Sequence, residues 1–298
     1  MILPNLKHLN YLVALHQHQH FLRAANACYV SQSTLSSAII KLEEQLNCQL
    51  IERDNKSFIF TLQGEEIVEM AKRLINDAND LVQYANAQGN SEKGKVIIGV
   101  IPTIAPFLLQ EIASVCMHSL PNLELYFIED TTENLLTQLQ NGLIDLAILA
   151  LPIAGHNFKS RVLAKDPFYI AGDQTLVERY KSSLSYQALP EHSIFLLAQD
   201  HCLTEHAITA CQLTDKSRIH QFSASSLTTL VQMTALHKGF TFLPEMAVKK
   251  GVGKAEGLTI EKLNNDIYRE IGMLWRATSI RQKTYFMIGN LVSEILKG

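Results

Sequence analysis

The chain has 298 residues, 47% hydrophobic and 18% charged, with 26 Lys and Arg against 29 Asp and Glu, which is enough for two or three domains with ordinary cores. No stretch approaches the roughly eighteen apolar residues of a membrane span, and Met1-Ile2-Leu3-Pro4-Asn5 lacks the basic-then-apolar pattern of an export signal. Five cysteines is an odd number for a disulfide scaffold, so a soluble, cytoplasmic protein with thiols reduced at rest is expected.

Residues 4 to 17 place Leu6, Leu9, Leu12, Val13 and Leu15 at mostly helical spacing and predict an amphipathic helix. A short second helix is predicted over about Phe21 to Tyr29, where Ala24, Ala25 and Ala27 allow close packing. Ser31 then caps a third helix, Gln32 to Leu46, which turns Leu35, Ala38, Ile39, Leu42 and Leu46 inward. The outer face of its first turn carries hydroxyls and an amide. A short helix, a tight turn and a helix opening on Gln, Ser and Thr is the layout of a helix-turn-helix, whose second helix presents N-terminal residues to base edges. Glutamine pairs with adenine, and serine or threonine with phosphate or base. The candidate DNA contacts are Ser31, Gln32, Ser33, Thr34, Ser37 and Lys41, with Arg53 and Lys56 beyond the helix.

Residues 1 to 65 balance Lys7, Arg23, Lys41, Arg53 and Lys56 against Glu43, Glu44, Glu52, Asp54 and Glu65, a formal net charge of zero. Phosphate neutralisation usually drives DNA affinity, so a three-helix interaction module without DNA binding stays open as the alternative. A dimer would double the basic contacts, and helix N-termini would add backbone donors.

The run Phe21-Leu22-Arg23-Ala24-Ala25, Val30-Ser31-Gln32-Ser33-Thr34-Leu35-Ser36, Ile39, Lys41-Leu42-Glu43, Leu46 and Leu50-Ile51-Glu52-Arg53, then Thr61 and Gly64, resembles the winged helix-turn-helix of LysR-type transcriptional regulators. The departures are Ser33, where the family often has proline; Ile40, where it often has a basic residue; and a less basic wing at Asp54-Asn55-Lys56-Ser57-Phe58. Residues 62 to 87 carry an uninterrupted helical stripe, Leu62, Ile67, Met70, Ala71, Leu74, Ile75, Ala78, Leu81, Val82 and Ala85, similar to the linker helix on which such proteins dimerise. Gln88 to Gly94 is polar and reads as a hinge.

Beyond it the pattern becomes α/β. Val96 to Val100 is an apolar run suited to a buried parallel strand, Ala105 to Met117 an amphipathic helix, Leu123 to Ile128 a strand, Asn134 to Asn141 a helix and Leu146 to Leu149 a strand. Further strands are expected at Phe168 to Ala171, Ile194 to Leu197 and Ile271 to Trp275. Thr103 and Thr132 fall just past strand ends, the edge of an open α/β sheet where ligands bind. The order resembles the two-subdomain, periplasmic-binding-protein-like effector domain of LysR-type regulators. The expected organisation is a DNA-binding domain at 1–61, a linker helix at 62–87, a hinge at 88–94, one effector subdomain at 95–165 and 268–298, and a second at 166–267.

Between Asp200 and Cys211 a histidine adjoins one cysteine, Cys202, and a second cysteine follows nine residues later. In one continuous helix nine residues would hold the two Cα atoms roughly 13 Å apart, whereas a disulfide needs about 4.4 to 6.8 Å. Joining them would require the helix to break, which is the property of a two-state element. The plainer reading is that both are buried core thiols, as free cysteines often are. Cys28, Cys48 and Cys116 have no flanking histidine, and no cysteine spacing suits zinc.

This segment, with Ile101-Pro102-Thr103 and Pro106, Glu129-Asp130-Thr131-Thr132, Ser226-Leu227 with Thr229-Leu230, Leu243-Pro244 and Ile271-Gly272 with Arg276, resembles the peroxide-sensing branch of the LysR-type family. The resemblance implies that Cys202 is the peroxidatic thiol, that Cys211 resolves its sulfenic acid as a disulfide, and that Thr103, Thr132, His201 and Arg276 form the peroxide pocket. Read without it, the two threonines could cap helices and Arg276 pair with a surface carboxylate. Asp200, where the family commonly has glycine, and Thr204, where it has a basic residue, make the surroundings less positive. The resemblance further implies hydrogen peroxide as signal with no cofactor and no metal. Its implied partners are double-stranded promoter DNA of oxidative-stress genes, a dimer of dimers, a glutaredoxin or glutathione-type reductant, and RNA polymerase, with no membrane. Two alternatives stand beside it: a LysR-type regulator answering a metabolite in the effector cleft, its cysteines structural, and a thiol peroxidase, for which residues 1 to 87 would have no use.

Overall fold

A computed structural model of the chain describes residues 3–53, 57–86, 91–153, 158–183, 189–198, 202–210, 215–263 and 267–297. It divides into two compact units, residues 1–90 with 140–143, and residues 91–139 with 144–298.

The first unit contains α1 (Leu6–His18), α2 (Phe21–Ala27), α3 (Gln32–Leu46), a hairpin of β1 (Ile51–Arg53) and β2 (Phe58–Phe60), and α4 (Leu62–Asn86). Leu12 and Leu15 of α1, Ala24 and Ala25 of α2, and Leu35, Ile39 and Leu42 of α3 close one core, to which α4 adds Val68 and Ala71. Each fully buried aliphatic side chain contributes about 1.5–3 kcal/mol relative to exposure. α2 stops at Ala27, two residues before the expected end. Tyr29 adopts a left-handed φ of 55°, the Val30 N–H returns to the Ala25 carbonyl at 3.0 Å and the Tyr29 N–H to Asn26 at 3.1 Å. This is a Schellman turn, and it sets the angle at which α3 departs. The Ser31 hydroxyl accepts from the Thr34 N–H at 3.1 Å, capping α3. The Glu43 carboxylate accepts from the Leu50 and Ile51 N–H groups at 2.8 and 3.1 Å, so one acidic residue of the helix ties down the hairpin. Gly64 lies against the Leu50 carbonyl, where a Cβ would collide with backbone; only glycine lets α4 start this close to the hairpin. On its other side α4 leaves Met70, Leu74, Leu81 and Val82 exposed.

The second unit runs β3 (Gly94–Val100), α5 (Ala105–Ser119), β4 (Leu123–Glu129), α6 (Thr132–Gln140), β5 (Leu146–Leu151), β6 (Phe158–Gly172), α7 (Gln174–Ser183), β7 (Ile194–Leu197), α8 (Cys202–Ala210), β8 (Ile219–Ala224), α9 (Leu227–Leu236), β9 (Phe240–Pro244), α10 (Glu245–Lys249), β10 (Thr259–Lys262), β11 (Tyr268–Arg276) and α11 (Gln282–Ile295). Its strands form one sheet in the order β4-β3-β5-β11-β6-β9-β7-β8, with β10 also on β6. β4, β3 and β5 are parallel, and the apolar runs of the inner two, β3 and β5, are buried in the core while β4 forms the edge. One core gathers around β3, β5, β11, α5 and α11, and a second around β7, β9, α8 and α9.

β6 and β11 belong to both halves. They pair antiparallel from Tyr268 opposite Pro167 to Arg276 opposite Phe158. β6 is far longer than the four residues expected at Phe168 to Ala171. Its first half, with Lys159, Ser160, Arg161 and Lys165, lacks an apolar run and is held extended by pairing with β11 and by the 2.7 Å bond from Arg161 to the Asn290 side-chain oxygen. β8, β9 and β10 go beyond the strands expected from the sequence.

Candidate functional site

Of the DNA candidates, Gln32, Ser33, Thr34, Ser37 and Lys41 are exposed on α3. The Ser31 hydroxyl is engaged with the Thr34 N–H and lies 2.9 and 2.7 Å from the Ser33 and Thr34 hydroxyls. Ser33, Thr34, Ser37 and Lys41 line one surface groove with Asn5, Lys7, His8 and Tyr11 from the start of α1. Lys7 and Tyr11 were not among the sequence candidates; only the crossing of α1 over α3 brings them there. Arg53 donates to the Ser36 hydroxyl at 3.0 Å, and its guanidinium lies 5.3 Å from the Phe21 ring centre, so part of its surface is engaged within the unit. Lys56 lies outside the described residues.

In the second unit the parallel strands β3 and β4 end side by side, with the Asp130 N–H on the Val100 carbonyl at 3.3 Å. Thr103 follows the first strand and Thr132 the second. Thr103 is buried and does not cap α5, whose N-cap position is held by Ile104 with no side-chain hydrogen bond. Instead its hydroxyl accepts from Arg269 Nη1 at 2.8 Å and its carbonyl from Nη2 at 3.0 Å. The Asn134 N–H lies 3.5 Å from the Thr131 hydroxyl, so Thr131 is the residue placed to cap α6. Thr132 Oγ1 is buried with no hydrogen-bond partner among the described residues. Arg269 is 1% exposed, and its charge is met by Asp166, which accepts from Nε at 2.9 Å. The other Asp166 oxygen accepts from the Met246 N–H at 3.1 Å. A buried guanidinium satisfied in this way is rigid, a fixed positive charge rather than a mobile one.

α8 packs against this region. Leu203 and Ala207 enter the second core, and the Thr204 hydroxyl donates to the Leu197 carbonyl at 2.8 Å, tying the helix to the end of β7. This buried tie accounts for a small hydroxyl residue at 204. His206, on the same helix, has a buried Nδ1 without a partner among the described residues. Burial above all, then the Arg269 cation, lowers its pKa, while Glu205 acts in the opposite sense. Cys202 is described in its backbone only, as the first residue of α8, and His201 and Cys211 lie outside the described residues.

Arg276 does not join this cluster, contrary to the expectation from sequence. It ends β11, seven residues after Arg269 and therefore roughly 23 Å further along the strand. There it is buried, donates to the Leu139 and Ile144 carbonyls at 3.0 and 2.7 Å, and lies 3.8 Å from Asp145. The sequence shows two arginines on one apolar strand, and only the antiparallel direction of β11 decides which of them meets the end of β3.

Cys28, Cys48 and Cys116 are free thiols. Burial raises the pKa of Cys28 and pushes that of Cys116 up to about 11. Among the described residues no cluster of three His, Cys, Asp or Glu is placed to hold a metal, and no helix is long and apolar enough to cross a membrane.

Residues 6–65 match the family of bacterial regulatory helix-turn-helix proteins of the lysR type, and residues 89–285 the LysR substrate binding domain. The chain is 33% identical over 297 residues to the HTH-type transcriptional regulator EstR of Acinetobacter baylyi, covering 98% of this chain and 97% of that protein. It is 32% identical over 294 residues to the DNA-binding transcriptional dual regulator OxyR of Escherichia coli, covering 99% and 96%. Among solved structures, the reduced regulatory domain of OxyR2 from Vibrio vulnificus is 44% identical and covers 69% of this chain and 97% of that one, with a TM-score of 0.65. A full-length OxyR variant from Pseudomonas aeruginosa is 28% identical, covers 98% and 95%, and has a TM-score of 0.75.

Proposed function

Since the chain belongs to the LysR family of bacterial transcriptional regulators, among relatives named as hydrogen peroxide-inducible activators, we propose that it is a DNA-binding switch thrown by oxidation of Cys202. The observation that carries this reading is the buried Arg269, fixed on Thr103 and carried by β11, a strand against which α8, the helix opening with Cys202, is packed. A fixed cation near a thiol favours the thiolate, the nucleophilic form. The Thr103 oxygen accepts from Arg269, which leaves its own proton to be donated, and the Thr132 hydroxyl has a proton and lone pairs to offer. Two such hydroxyls suit a small molecule that both donates and accepts at each oxygen, as hydrogen peroxide does. Arg269 takes the cation role that the sequence had suggested for Arg276.

Attack of the Cys202 sulfur on peroxide gives a sulfenic acid and water, and Cys211 displaces the hydroxyl to form a disulfide. The nine residues of α8 hold their first and last Cα atoms about 12 Å apart. One further peptide adds or subtracts at most 3.8 Å, so an intact α8 keeps positions 202 and 211 beyond the roughly 6.8 Å that a disulfide spans. Oxidation must therefore unwind α8 and withdraw Leu203, Thr204 and Ala207 from their packing, a change large enough to reach neighbouring surfaces. The exposed Met70, Leu74 and Leu81 of α4 offer the apolar face for pairing two copies, so that two α3 helices address related half-sites of a promoter. A dimer of dimers, a glutaredoxin or glutathione-type reductant and contact with RNA polymerase complete the reading.

Thiol mapping by mass spectrometry after near-stoichiometric hydrogen peroxide tests it, with Cys202→Ser for comparison. A selective bond between Cys202 and Cys211 is expected in the wild type. Thiols that stay reduced while peroxide persists would overturn the sensor reading and leave a metabolite-responsive regulator.

A further inference from the structure

His206 stands four residues after Cys202 on α8, one helical turn on, so the two positions share a face of the helix. Two charged groups bear on its ring, Arg269 from β11 and Glu205 from α8, and Arg269 is itself bound to Asp166 of β6. Burial and the Arg269 cation keep the imidazole neutral, so that one ring nitrogen can accept a proton while the other holds one. Its Nδ1 is buried and uncommitted to any hydrogen bond among the described residues, a rare condition for a buried polar atom.

We infer that His206 is the proton relay of the peroxide reaction. It takes the proton of the Cys202 thiol as the sulfur attacks one oxygen of hydrogen peroxide, and delivers it to the other oxygen as the O–O bond breaks. An S–O bond forms, sulfur is oxidised, peroxide is reduced, and the products are the sulfenic acid and water, balanced without a further reactant. The inference rests on the sensor reading above and adds to it the group that moves the proton. Arg269 can hold negative charge but has no proton to give near neutrality, and a threonine hydroxyl is too weak an acid and base to carry one through. A neutral imidazole on the residue one helical turn after position 202 has the required basicity, and its protonated form the required acidity.

The test compares full-length wild type, His206→Gln and His201→Gln for the rate of Cys202 oxidation by hydrogen peroxide across pH. Alkylation of Cys202 by iodoacetamide is followed in parallel by peptide mapping, because iodide leaves without a proton. At about pH 7, peroxide oxidation of His206→Gln is expected to be about tenfold or more slower, with the difference shrinking towards about pH 10, where the thiolate needs no base. Iodoacetamide alkylation draws on the same deprotonation of the thiol but needs no proton on its leaving group, so it is expected to slow by clearly less than the peroxide reaction. Equal peroxide rates near neutrality would overturn the relay, and so would the loss appearing in His201→Gln instead. A parallel loss towards both reagents at every pH would assign His206 a structural role only. No oxidation of Cys202 in the wild type would remove the sensor reading and the relay together, whereas normal disulfide formation in wild type and His206→Gln alike would remove the relay alone.

Discussion

Arg269 clamps Thr103 with two bonds, Nη1 to the hydroxyl at 2.8 Å and Nη2 to the carbonyl at 3.0 Å, so the last strand of the sheet is fastened to the turn after its first. The clamp lies between residues 166 apart in sequence, and its charge is answered at 2.9 Å by Asp166 on the neighbouring strand. It does two things at once: it closes the joint between the strands that serve both halves of the unit, and it fixes a cation at the strand edge.

Thr103→Val should separate these two effects from those of side-chain size. Valine keeps the shape and leaves Arg269 Nη1 without its acceptor, at a cost of about 1–3 kcal/mol in stability. Urea unfolding should show that loss, and Cys202 oxidation should slow by about tenfold, while Thr103→Ser stays near wild type in both.

The two arginines of β11 should part company under mutation. Arg269→Met leaves Asp166 buried without its counter-charge, for a loss of about 3–5 kcal/mol, and should move the pH profile of Cys202 alkylation upward. Arg276→Lys loses the fork that reaches the Leu139 and Ile144 carbonyls, costing about 1–3 kcal/mol. Its Cys202 profile should match the wild type; an upward shift there would restore Arg276 to the proposed peroxide site.

Cys116 should be inert in the native protein. With its thiol pushed up to about 11, its thiolate fraction near pH 7.5 is on the order of one in a thousand to one in ten thousand, and its sulfur is also covered by the first core. Peptide mapping after brief alkylation should find Cys116 unmodified until denaturant is added.

The lowered pKa of His206 has a defined sign in stability. Between the unfolded histidine value of about 6.5 and the lower folded one, the unfolded chain binds more protons, so stability rises with pH in that window. The contribution is complete above about pH 6.5 and is lost as pH falls through the folded value. His220, lowered by burial and then by His237 and His192, acts in the same direction. Melting temperature should therefore fall on acidification below about pH 6.5, less steeply in His206→Gln.

On the DNA side, Lys7→Ala and Lys41→Ala should each weaken binding to all sequences alike and reduce the salt slope by about 0.9 for each phosphate left without its cation. Gln32→Ala should instead cost about 1–3 kcal/mol at one base position and relax the preference there. Fluorescence anisotropy over a salt series distinguishes the two behaviours.

Much of this protein was legible before any tertiary information. The α3 bounds, the Ser31 cap and the strand Ile194–Leu197 follow from local periodicity and capping chemistry, which act over one or two turns. The inner parallel strands β3 and β5 were legible because burial on both faces leaves Val96 to Val100 and Leu146 to Leu151 apolar. The early stop of α2 was not, because it rests on a left-handed Tyr29 that no composition rule anticipates. The first half of β6 was not either, because its extended form depends on a partner strand a hundred residues away.

The candidate site divides in the same way. A thiol beside a histidine, a second thiol nine residues on, and threonines past strand ends are local patterns, and sequence alone determined them together with the family they point to. Which arginine faces Thr103, which threonine caps α6, and which histidine shares a helix face beside the buried cation were decided by tertiary structure alone. The physical reason is that charge acts through space: strand direction and helix placement put Arg269 within bonding distance of Thr103 and carry Arg276 to the far end of the same strand.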